Sequence, residues 1–226
     1  MKKILNGFIV ILLMGLVHSA TAQNNFTFGV KAGVNFSTFS GSELELDSRT
    51  GFMGGISMDA DLEKLPFLVE SGIYYTQRGL KGEYPGVFGI RRPGNRGNAG
   101  TFKLDYVELP VMAKYVIETE GNISPNLVFG PYFAINISSK IEEGNAGGQV
   151  GGSLQPINQP YIVDISEHVR SLDAGLIIGA GAGMLLNSLD LNFQARYGIG
   201  LTSVLTGEAS NGEKNRVFTL AAGITF

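Results

Sequence analysis

Hydrophobic and polar residues alternate strictly along residues 189–201. The apolar side chains occupy the odd positions: Leu189, Leu191, Phe193, Ala195, Tyr197, Ile199 and Leu201. The positions between them carry polar residues or glycine, namely Asp190, Asn192, Gln194, Arg196, Gly198 and Gly200. A period of two predicts a β-strand with one apolar face. The segment of about 13 residues exceeds the usual soluble strand of about 5–6 residues and suits a tilted strand that crosses a bilayer.

Seven further segments show the same alternation, so the sequence predicts eight strands. They lie within residues 26–36, 52–62, 67–78, 107–117, 126–137, 172–184 and 218–226. Ten charged residues in the eight segments fall opposite the apolar face: Lys31, Asp59, Asp61, Glu70, Arg78, Glu108, Lys114, Asp173, Asp190 and Arg196. The alternation alone fits two folds, a soluble sandwich with its apolar faces inside and a membrane barrel with its apolar faces toward lipid.

The connections between these segments favour the barrel because they alternate between long and short. The long ones are roughly 38–51, 79–103, 138–171 and 202–216, and the short ones are 63–66, 119–125 and 187–188. Transmembrane barrels have long extracellular loops and short periplasmic turns, and an even number of strands closes the sheet without a free edge. The sequence therefore predicts an all-β fold, an eight-stranded antiparallel up-and-down transmembrane β-barrel with both termini in the periplasm.

The first 22 residues predict export. Lys2 and Lys3 precede a nearly unbroken apolar run from Ile4 to Val17, and residues 20–22 (ATA) supply a small-x-small cleavage site. This pattern is that of a signal peptide at residues 1–22, cleaved after Ala22, followed by a barrel domain at residues 23–226. A membrane-anchoring helix is the alternative, but the run is too short. The expected location is the outer membrane of a Gram-negative cell.

Composition agrees with an exported membrane protein. Charged residues make up 16% of the chain, against a typical value of about 25%, which indicates much surface that does not face water. The chain contains no cysteine, so its stability cannot depend on disulfides. The formal net charge is −3 and becomes more negative when Lys2 and Lys3 are removed, which gives no reason to expect a nucleic-acid partner.

The ten charges opposite the apolar face would point into the lumen. An eight-stranded barrel is only wide enough to be filled by its own side chains, and an unpaired buried charge costs several kcal/mol. We therefore expect a structural network of ion pairs that plugs the lumen. Strand direction predicts that Glu108 approaches Arg78 and that Lys114 approaches Glu70. A proton or ion path through the same residues is the alternative.

Other candidate sites are weaker. The stripe Gly175, Gly179, Gly181 and Gly183 lacks the Lys-Ser/Thr and the helix of a phosphate-binding loop, and we expect it to leave room for Tyr132 and Arg196. The residues Asp164, Ser166, Glu167 and His168 lie together, but they match no catalytic motif, and one histidine cannot build a metal site without further ligands. We expect no catalytic residue, no cofactor and no metal.

The predicted 79–103 loop is basic. Its cationic residues are Lys81, Arg91, Arg92 and Arg96. Such a cluster could contact the phosphates of lipopolysaccharide. A solvated loop without a ligand is the alternative.

Three segments resemble the PorT-like outer-membrane β-barrel proteins of the Bacteroidota. Residues 28–37 (FGVKAGVNFS) look like the first strand of that family, residues 105–110 (DYVELP) with the following Lys114-Tyr115 look like its fourth strand, and residues 222–226 (AGITF) look like its closing strand. The resemblance covers essentially all of residues 23–226. It implies an eight-stranded barrel of the OmpA/OmpX shape whose final Phe226 is recognised by the barrel-insertion machinery.

Taken with the patterns, the resemblance predicts a protein that binds or anchors and does not catalyse. Its expected partners are outer-membrane lipid, lipopolysaccharide, the insertion machinery and an unidentified protein at the extracellular loops. The alternative function is a narrow pore or an accessory factor for transport or protein secretion across the outer membrane, as the PorT resemblance would allow.

Overall fold

Eight long strands form the body of the protein. The computed structural model describes residues 26–41, 47–83, 99–143, 147–150, 153–156, 161–186, 189–206 and 212–226. The long strands are β1 (Phe26–Ser40), β2 (Asp47–Asp61), β3 (Leu68–Glu83), β4 (Ala99–Val116), β5 (Ile123–Glu143), β9 (Leu172–Leu186), β10 (Leu189–Gly200) and β11 (Lys214–Thr225). Between β5 and β9 lie β6 (Gly147–Val150), β7 (Ser153–Pro156), β8 (Tyr161–Asp164) and a 3₁₀ helix (Ser166–His168). The predicted signal peptide at residues 1–22 lies outside the described residues.

The eight long strands close into an antiparallel barrel. Each strand pairs with its neighbour in the order β1, β2, β3, β4, β5, β9, β10 and β11, and β11 pairs back onto β1. The predicted eight-stranded barrel is therefore confirmed. We call the end that carries Phe26 and Phe226 the terminal end, and the opposite end the loop end. Among the described residues, no helix is long and apolar enough to cross a membrane.

The polarity of the two faces of the sheet is reversed relative to that of a soluble protein. Ile178 on β9 points outward and is 55% exposed, whereas its neighbour Ile177 points into the barrel and is 5% exposed. The same holds on β5, where Phe129 is exposed and Val128 is buried. Apolar side chains thus cover the outside while polar and charged side chains occupy the inside, which excludes the soluble sandwich and leaves the membrane barrel.

The strands continue beyond the predicted boundaries at the loop end. Residues 79–83 and 99–103, predicted as loop, extend β3 and β4, and residues 138–143 extend β5. Their outward side chains are polar, as in the cross-strand neighbours Lys103 and Lys140. The backbone ladder therefore outlasts the outward apolar band, and beyond that band the alternation is inverted, with apolar Phe102 and Leu104 inside the barrel. The predicted loops at 38–51 and 202–216 also begin or end within strands, because β1 reaches Ser40, β2 begins at Asp47 and β11 begins at Lys214.

Apolar residues from two loop-end connections pack against inward-facing side chains of the barrel. These residues, which we call the apolar cap, are Ile165, Val169, Val204 and Leu205. All four are buried in one cluster with inward-facing residues of β3, β4 and β5. Backbone hydrogen bonds hold the two connections together, since Arg170 N donates to Val204 O at 2.8 Å. The loop end is thus packed with apolar side chains, a feature that the alternation of the strands did not predict.

Candidate functional site

The lumen is the part of the barrel where the candidate charged residues meet. Seven of the ten predicted inward charges are buried there: Lys31, Glu70, Arg78, Glu108, Lys114, Asp173 and Arg196. Asp59 is partly buried, whereas Asp61 and Asp190 are exposed and line an opening at the terminal end. The buried charges form two clusters, which we name after their central carboxylates, Glu70 and Asp173.

In the Glu70 cluster, three cations converge on one carboxylate. Glu70 lies near the start of β3 and is fully buried. Lys31 Nζ lies 2.6 Å from Glu70 Oε1, and Arg196 Nη2 donates to the same oxygen. Lys114 Nζ lies 3.7 Å from Glu70 Oε2. Because buried like charges repel at low dielectric, Glu70 is the group that allows these three cations to share the lumen.

Gln194 links two of the cations to Glu70. Its Nε2 donates to Glu70 Oε2 at 2.9 Å. Its Oε1 accepts hydrogen bonds from Arg196 Nε at 2.7 Å and from Lys31 Nζ at 3.1 Å. A neutral side chain with both an acceptor and a donor can bridge cation and anion in this way. Sequence reasoning did not single out Gln194, although its inward position beside Arg196 on β10 was visible in the alternation.

Lys114 has a different nearest partner from the one expected. Its Nζ lies 2.7 Å from Asp59 Oδ2 on β2, a strand that does not pair with β4, and farther from Glu70 on the neighbouring β3. Asp59 and Glu70 are themselves cross-strand neighbours, so Lys114 lies beside both carboxylates. The expected approach of Lys114 to Glu70 on the neighbouring strand is therefore present at 3.7 Å, but the shorter contact is with a carboxylate that lies two strands away. A lysine side chain is long enough, and the lumen narrow enough, for it to reach two strands away.

The Asp173 cluster lies nearer the loop end. Asp173 Oδ2 accepts hydrogen bonds from Arg78 Nη1 at 2.8 Å, from Tyr132 Oη at 3.0 Å and from Asn215 Nδ2 at 2.9 Å. Its Oδ1 accepts one from Thr202 Oγ1 at 2.5 Å. A buried carboxylate with four donors is compensated for the loss of water. Tyr132, Asn215 and Thr202 were not among the predicted site residues, since neutral polar groups give no charge signal in the sequence.

Arg78 on β3 connects Asp173 on β9 to Glu108 on β4. Its Nη2 pairs with Glu108, which is the contact that strand direction led us to expect. The guanidinium carbon lies 4.8 Å from the ring centroid of Tyr132 and 5.1 Å from that of Tyr106, within the range of cation–π attraction. Arg78 is therefore held by two carboxylates and two aromatic rings.

A small cavity separates the two clusters. Its volume is about 20 Å³, enough for about one water molecule. Arg78 and Glu108 line it from one cluster and Arg196 from the other. Arg78 Nε is buried and has no hydrogen-bond partner among the described residues.

The glycine stripe on β9 lies directly beneath large lumen side chains. A Cβ added to Gly175 would lie 2.5 Å from Tyr132 Cε1, and one added to Gly181 would lie 2.6 Å from Gln194 Cγ. At Gly179 the nearest atom of Arg196 would be its Cα, at 3.1 Å. The stripe therefore leaves room for Tyr132 as expected, and it also leaves room for Gln194.

The remaining sequence candidates lie apart from the lumen clusters. His168 ends the exposed 3₁₀ helix, where the backbone N–H of Ser166 donates to Asp164 Oδ1 at 2.9 Å and lowers the pKa of that carboxyl group. Within the described ranges, no group of three or more His, Cys, Asp or Glu residues is placed to hold a metal ion. Lys81 is exposed, whereas the other cations of its predicted cluster, Arg91, Arg92 and Arg96, lie outside the described residues.

Comparison with known families identifies the class of protein. The family described as outer membrane protein beta-barrel domain matches residues 21–206. The chain belongs to this family. It is accordingly an outer-membrane β-barrel protein, in agreement with the closed barrel and its apolar exterior.

Solved structures of other outer-membrane proteins are similar to this outer-membrane barrel. Neisserial surface protein A is 18% identical, with 89% of this chain and 96% of that chain covered and a TM-score of 0.46. A major outer membrane protein from Thermus thermophilus is 14% identical, with 90% and 100% covered and a TM-score of 0.48. The attachment invasion locus protein Ail of Yersinia pestis is 14% identical, with 90% and 100% covered and a TM-score of 0.36. Among curated proteins, none matches the chain.

The ion pair between Arg78 and Glu108 is expected to be strongly coupled in this outer-membrane barrel. In a double-mutant cycle with Arg78→Met and Glu108→Gln, we expect a coupling free energy of about 1–3 kcal/mol, because both groups are buried and the hydrogen bond between them is charge-assisted. Urea unfolding in detergent micelles measures it. The matched control is the partly exposed pair Lys103–Glu142, at 2.5 Å, whose coupling should be about 0.5 kcal/mol or less. Equal coupling for the two pairs would contradict the assignment.

Proposed function

We propose that this outer-membrane barrel is a structural or surface-interaction protein whose lumen is plugged by its own side chains and whose loop end meets partners outside the cell. The observation that carries the proposal is the pairing of the buried lumen charges into two clusters separated by a cavity of about 20 Å³. A lumen closed in this way serves stability, because the buried cations and carboxylates of the two clusters compensate one another. In this proposal, partners are bound by the outer surface and the loops.

The apolar cap supports the same conclusion. Ile165, Val169, Val204 and Leu205 are all buried against the barrel wall at the loop end. Ions and polar solutes would have to cross this apolar layer before they reached the Asp173 cluster. An apolar layer in series with a paired charge cluster is a poor route for permeation and a stable base for exposed loops.

The outward face at the loop end supports contact with lipopolysaccharide. Lys103 and Lys140 are cross-strand neighbours on the polar extension of β4 and β5, and Lys81 is exposed on the adjacent β3. The cations Arg91, Arg92 and Arg96 follow in the same connection. Ammonium and guanidinium groups bind phosphate through charge-assisted hydrogen bonds. The orientation that this proposal needs, with the loop end outside the cell, follows the usual placement of long loops in such barrels.

Export and insertion belong to the same proposal. Residues 1–22 would act as a signal peptide, removed after Ala22. Phe226 would be presented to the barrel-insertion machinery, and this role is supported by its exposed ring and its position beside β1, where its backbone N–H donates to Phe28 O at 2.9 Å. The alternative proposal is membership of the PorT-like family of the Bacteroidota, with a role as a narrow pore or an accessory factor in secretion. It is supported by the resemblance of residues 28–37, of residues 105–110 with Lys114-Tyr115, and of residues 222–226.

The plugged lumen is tested by conductance. Reconstituted in planar bilayers, the protein should show little steady current, because Tyr132, Arg78 and Glu70 obstruct an eight-stranded lumen. The Tyr132→Ala variant removes the aromatic ring that lines the small cavity and serves as the comparison in which leakage should increase. The opposite result would be stable, ion-selective current steps in the unmodified protein that disappear in Glu70→Gln or Arg196→Met. That result would contradict a plugged lumen and favour the narrow pore.

A further inference from the structure

The junction between β2 and β3 contains the longest interruption among the strand pairings that the structure describes. Residues 49–52 of β2 and residues 77–79 of β3 have no regular partners in each other, whereas pairing is regular on both sides of them. Four residues thus oppose three, and the register shifts by one residue, as it does at a β-bulge. The interruptions between β3 and β4 and between β4 and β5 leave at most two residues of a strand without a partner. The ladder between β9 and β10 is continuous.

Side chains from β1 and β2 donate to the backbone of β3 along this interruption. The carbonyl oxygens of residues 77, 78 and 79 accept hydrogen bonds, respectively, from Asn35 Nδ2 at 3.0 Å, from Arg49 Nη1, and from Ser37 Oγ at 2.9 Å. In a regular antiparallel pair, the backbone N–H groups of the neighbouring strand supply such donors. Three side chains therefore hold β3 in place where the regular pairing with β2 is missing.

Arg49 is the one of these three donors that lies on β2 itself. Its side chain crosses from β2 to β3 and is buried. Gly79 makes room for it: the φ angle of Gly79 is +138°, and a Cβ added there would lie 3.3 Å from Arg49 Cδ. The carboxylates of Asp105 on β4 and Glu142 on β5 attract the guanidinium group. Arg49 thus links β2 to β3 through one side chain.

Side chains also cover the interruption on both sides of the wall. On the outer side, the ring centroids of Phe52 and Tyr75 lie 5.4 Å apart. On the lumen side, Asn35 Nδ2 donates to Thr76 Oγ1 at 2.8 Å. Asn35 and Thr76 line the small cavity of about 20 Å³ together with Arg78. The interruption in the wall therefore lies beside the cavity that separates the two charge clusters.

We propose that the junction between β2 and β3 opens locally while the rest of the barrel stays closed, and that Arg49 is the strap that holds it shut. Side-chain hydrogen bonds replace a regular ladder at this junction, so it opens at a lower free-energy cost than the continuous pairing of β9 with β10. Arg78 couples the junction to the lumen, because its carbonyl oxygen accepts from Arg49 and its side chain pairs with Asp173. Opening therefore loosens Arg78 and exposes the small cavity.

Amide hydrogen exchange tests the strap when it is followed residue by residue by NMR in detergent micelles. Arg49→Met should speed exchange within residues 48–53 and 76–80 by about tenfold or more, whereas exchange in β9 and β10 should change by less than about twofold. The matched control is Lys140→Met, which removes an exposed cation on β5, two strands from β3, and should leave exchange at the junction unchanged. Equal acceleration in all strands, or no acceleration at the junction, would overturn the proposal.

A disulfide supplies a second test that does not require the Arg49 variant to fold. The chain contains no cysteine, and Asp47 and Lys81 are exposed cross-strand partners on the loop-end side of the interruption. In the double variant Asp47→Cys/Lys81→Cys, oxidation should slow exchange at the junction by about tenfold, and reduction should restore it, with β9 and β10 unaffected. Equal exchange in the oxidised and the reduced protein would show that the junction does not open, and the proposal would be wrong.

Discussion

Replacement of Glu70 by leucine is expected to destabilise the barrel by about 3–5 kcal/mol, because it leaves three buried cations without their common partner. Lys31, Lys114 and Arg196 would then face one another across the lumen, and Asp59 could neutralise only Lys114. Urea titration of the protein in phospholipid vesicles measures the free energy of unfolding. This is the largest effect that we expect from a single lumen substitution, since no other carboxylate in the described lumen contacts so many cations.

The Glu70 prediction includes its own controls. Lys31→Met removes one of the three cations and should cost less than Glu70→Leu, because Glu70 keeps Arg196 as a partner. The double variant Glu70→Leu/Lys31→Met should lose less stability than the sum of the two single variants, since one unpaired cation has been removed with its partner. A loss below about 1 kcal/mol for Glu70→Leu, or strict additivity in the double variant, would show that the cluster does not stabilise the barrel.

Replacement of the outward-facing Ile178 by arginine is expected to cost about 2–4 kcal/mol, the known penalty for a cation at the bilayer midplane. Ile178 lies halfway along β9 and pairs in register with the exposed residues Phe129 and Tyr197. The charged side chain would therefore replace an apolar one in the middle of the apolar band. Folding efficiency and urea unfolding in vesicles of defined lipid measure the effect.

Two further substitutions separate the effect of lipid from a general intolerance of change. Leu172→Arg lies on the same strand and the same outward face, but at the loop end, where the penalty falls to about 0–1 kcal/mol. Asn192→Ser exchanges one inward polar group for another and should be mild. If Ile178→Arg and Leu172→Arg were equally tolerated, the apolar band would not mark the position of the bilayer.

The sequence predicts the orientation of side chains well because lipid and a narrow lumen impose opposite requirements on neighbouring residues. Ile177 and Ile178 show where prediction of orientation from the polarity of a single residue fails. Both are apolar, and only the parity of the surrounding strand indicates that Ile178 faces outward while Ile177 is buried inside. The ends of the strands at the loop end were not predicted, because the alternation is inverted there. Outward residues such as Lys103 are polar while Phe102 and Leu104 point inward, so these residues do not continue the outward apolar face that defined the strands.

The pairing of charges was only partly predictable. It depends on distances across the lumen, and the alternation of residues along the chain gives no information about those distances. Strand direction was sufficient for Glu108 and Arg78, which lie on adjacent strands. It also gave the contact of Lys114 with Glu70, but not the shorter contact of Lys114 with Asp59 two strands away or the contact of Arg78 with Asp173 across the barrel. The apolar cap was missed for a related reason, since loop residues such as Ile165 have no regular spacing that would indicate burial.

The Glu70 cluster also bears on the way the barrel assembles. Lys31 on β1, Glu70 on β3 and Arg196 on β10 are brought together across the seam at which the first strand meets the last. Before that seam is formed, Arg196 lacks the carboxylate of Glu70 and Lys31 lacks the amide oxygen of Gln194. The hydrocarbon core of the membrane offers no water to replace these partners. We therefore expect closure of the seam and completion of the cluster to be coupled, so that a barrel that still lacks β11 is unfavourable in the membrane.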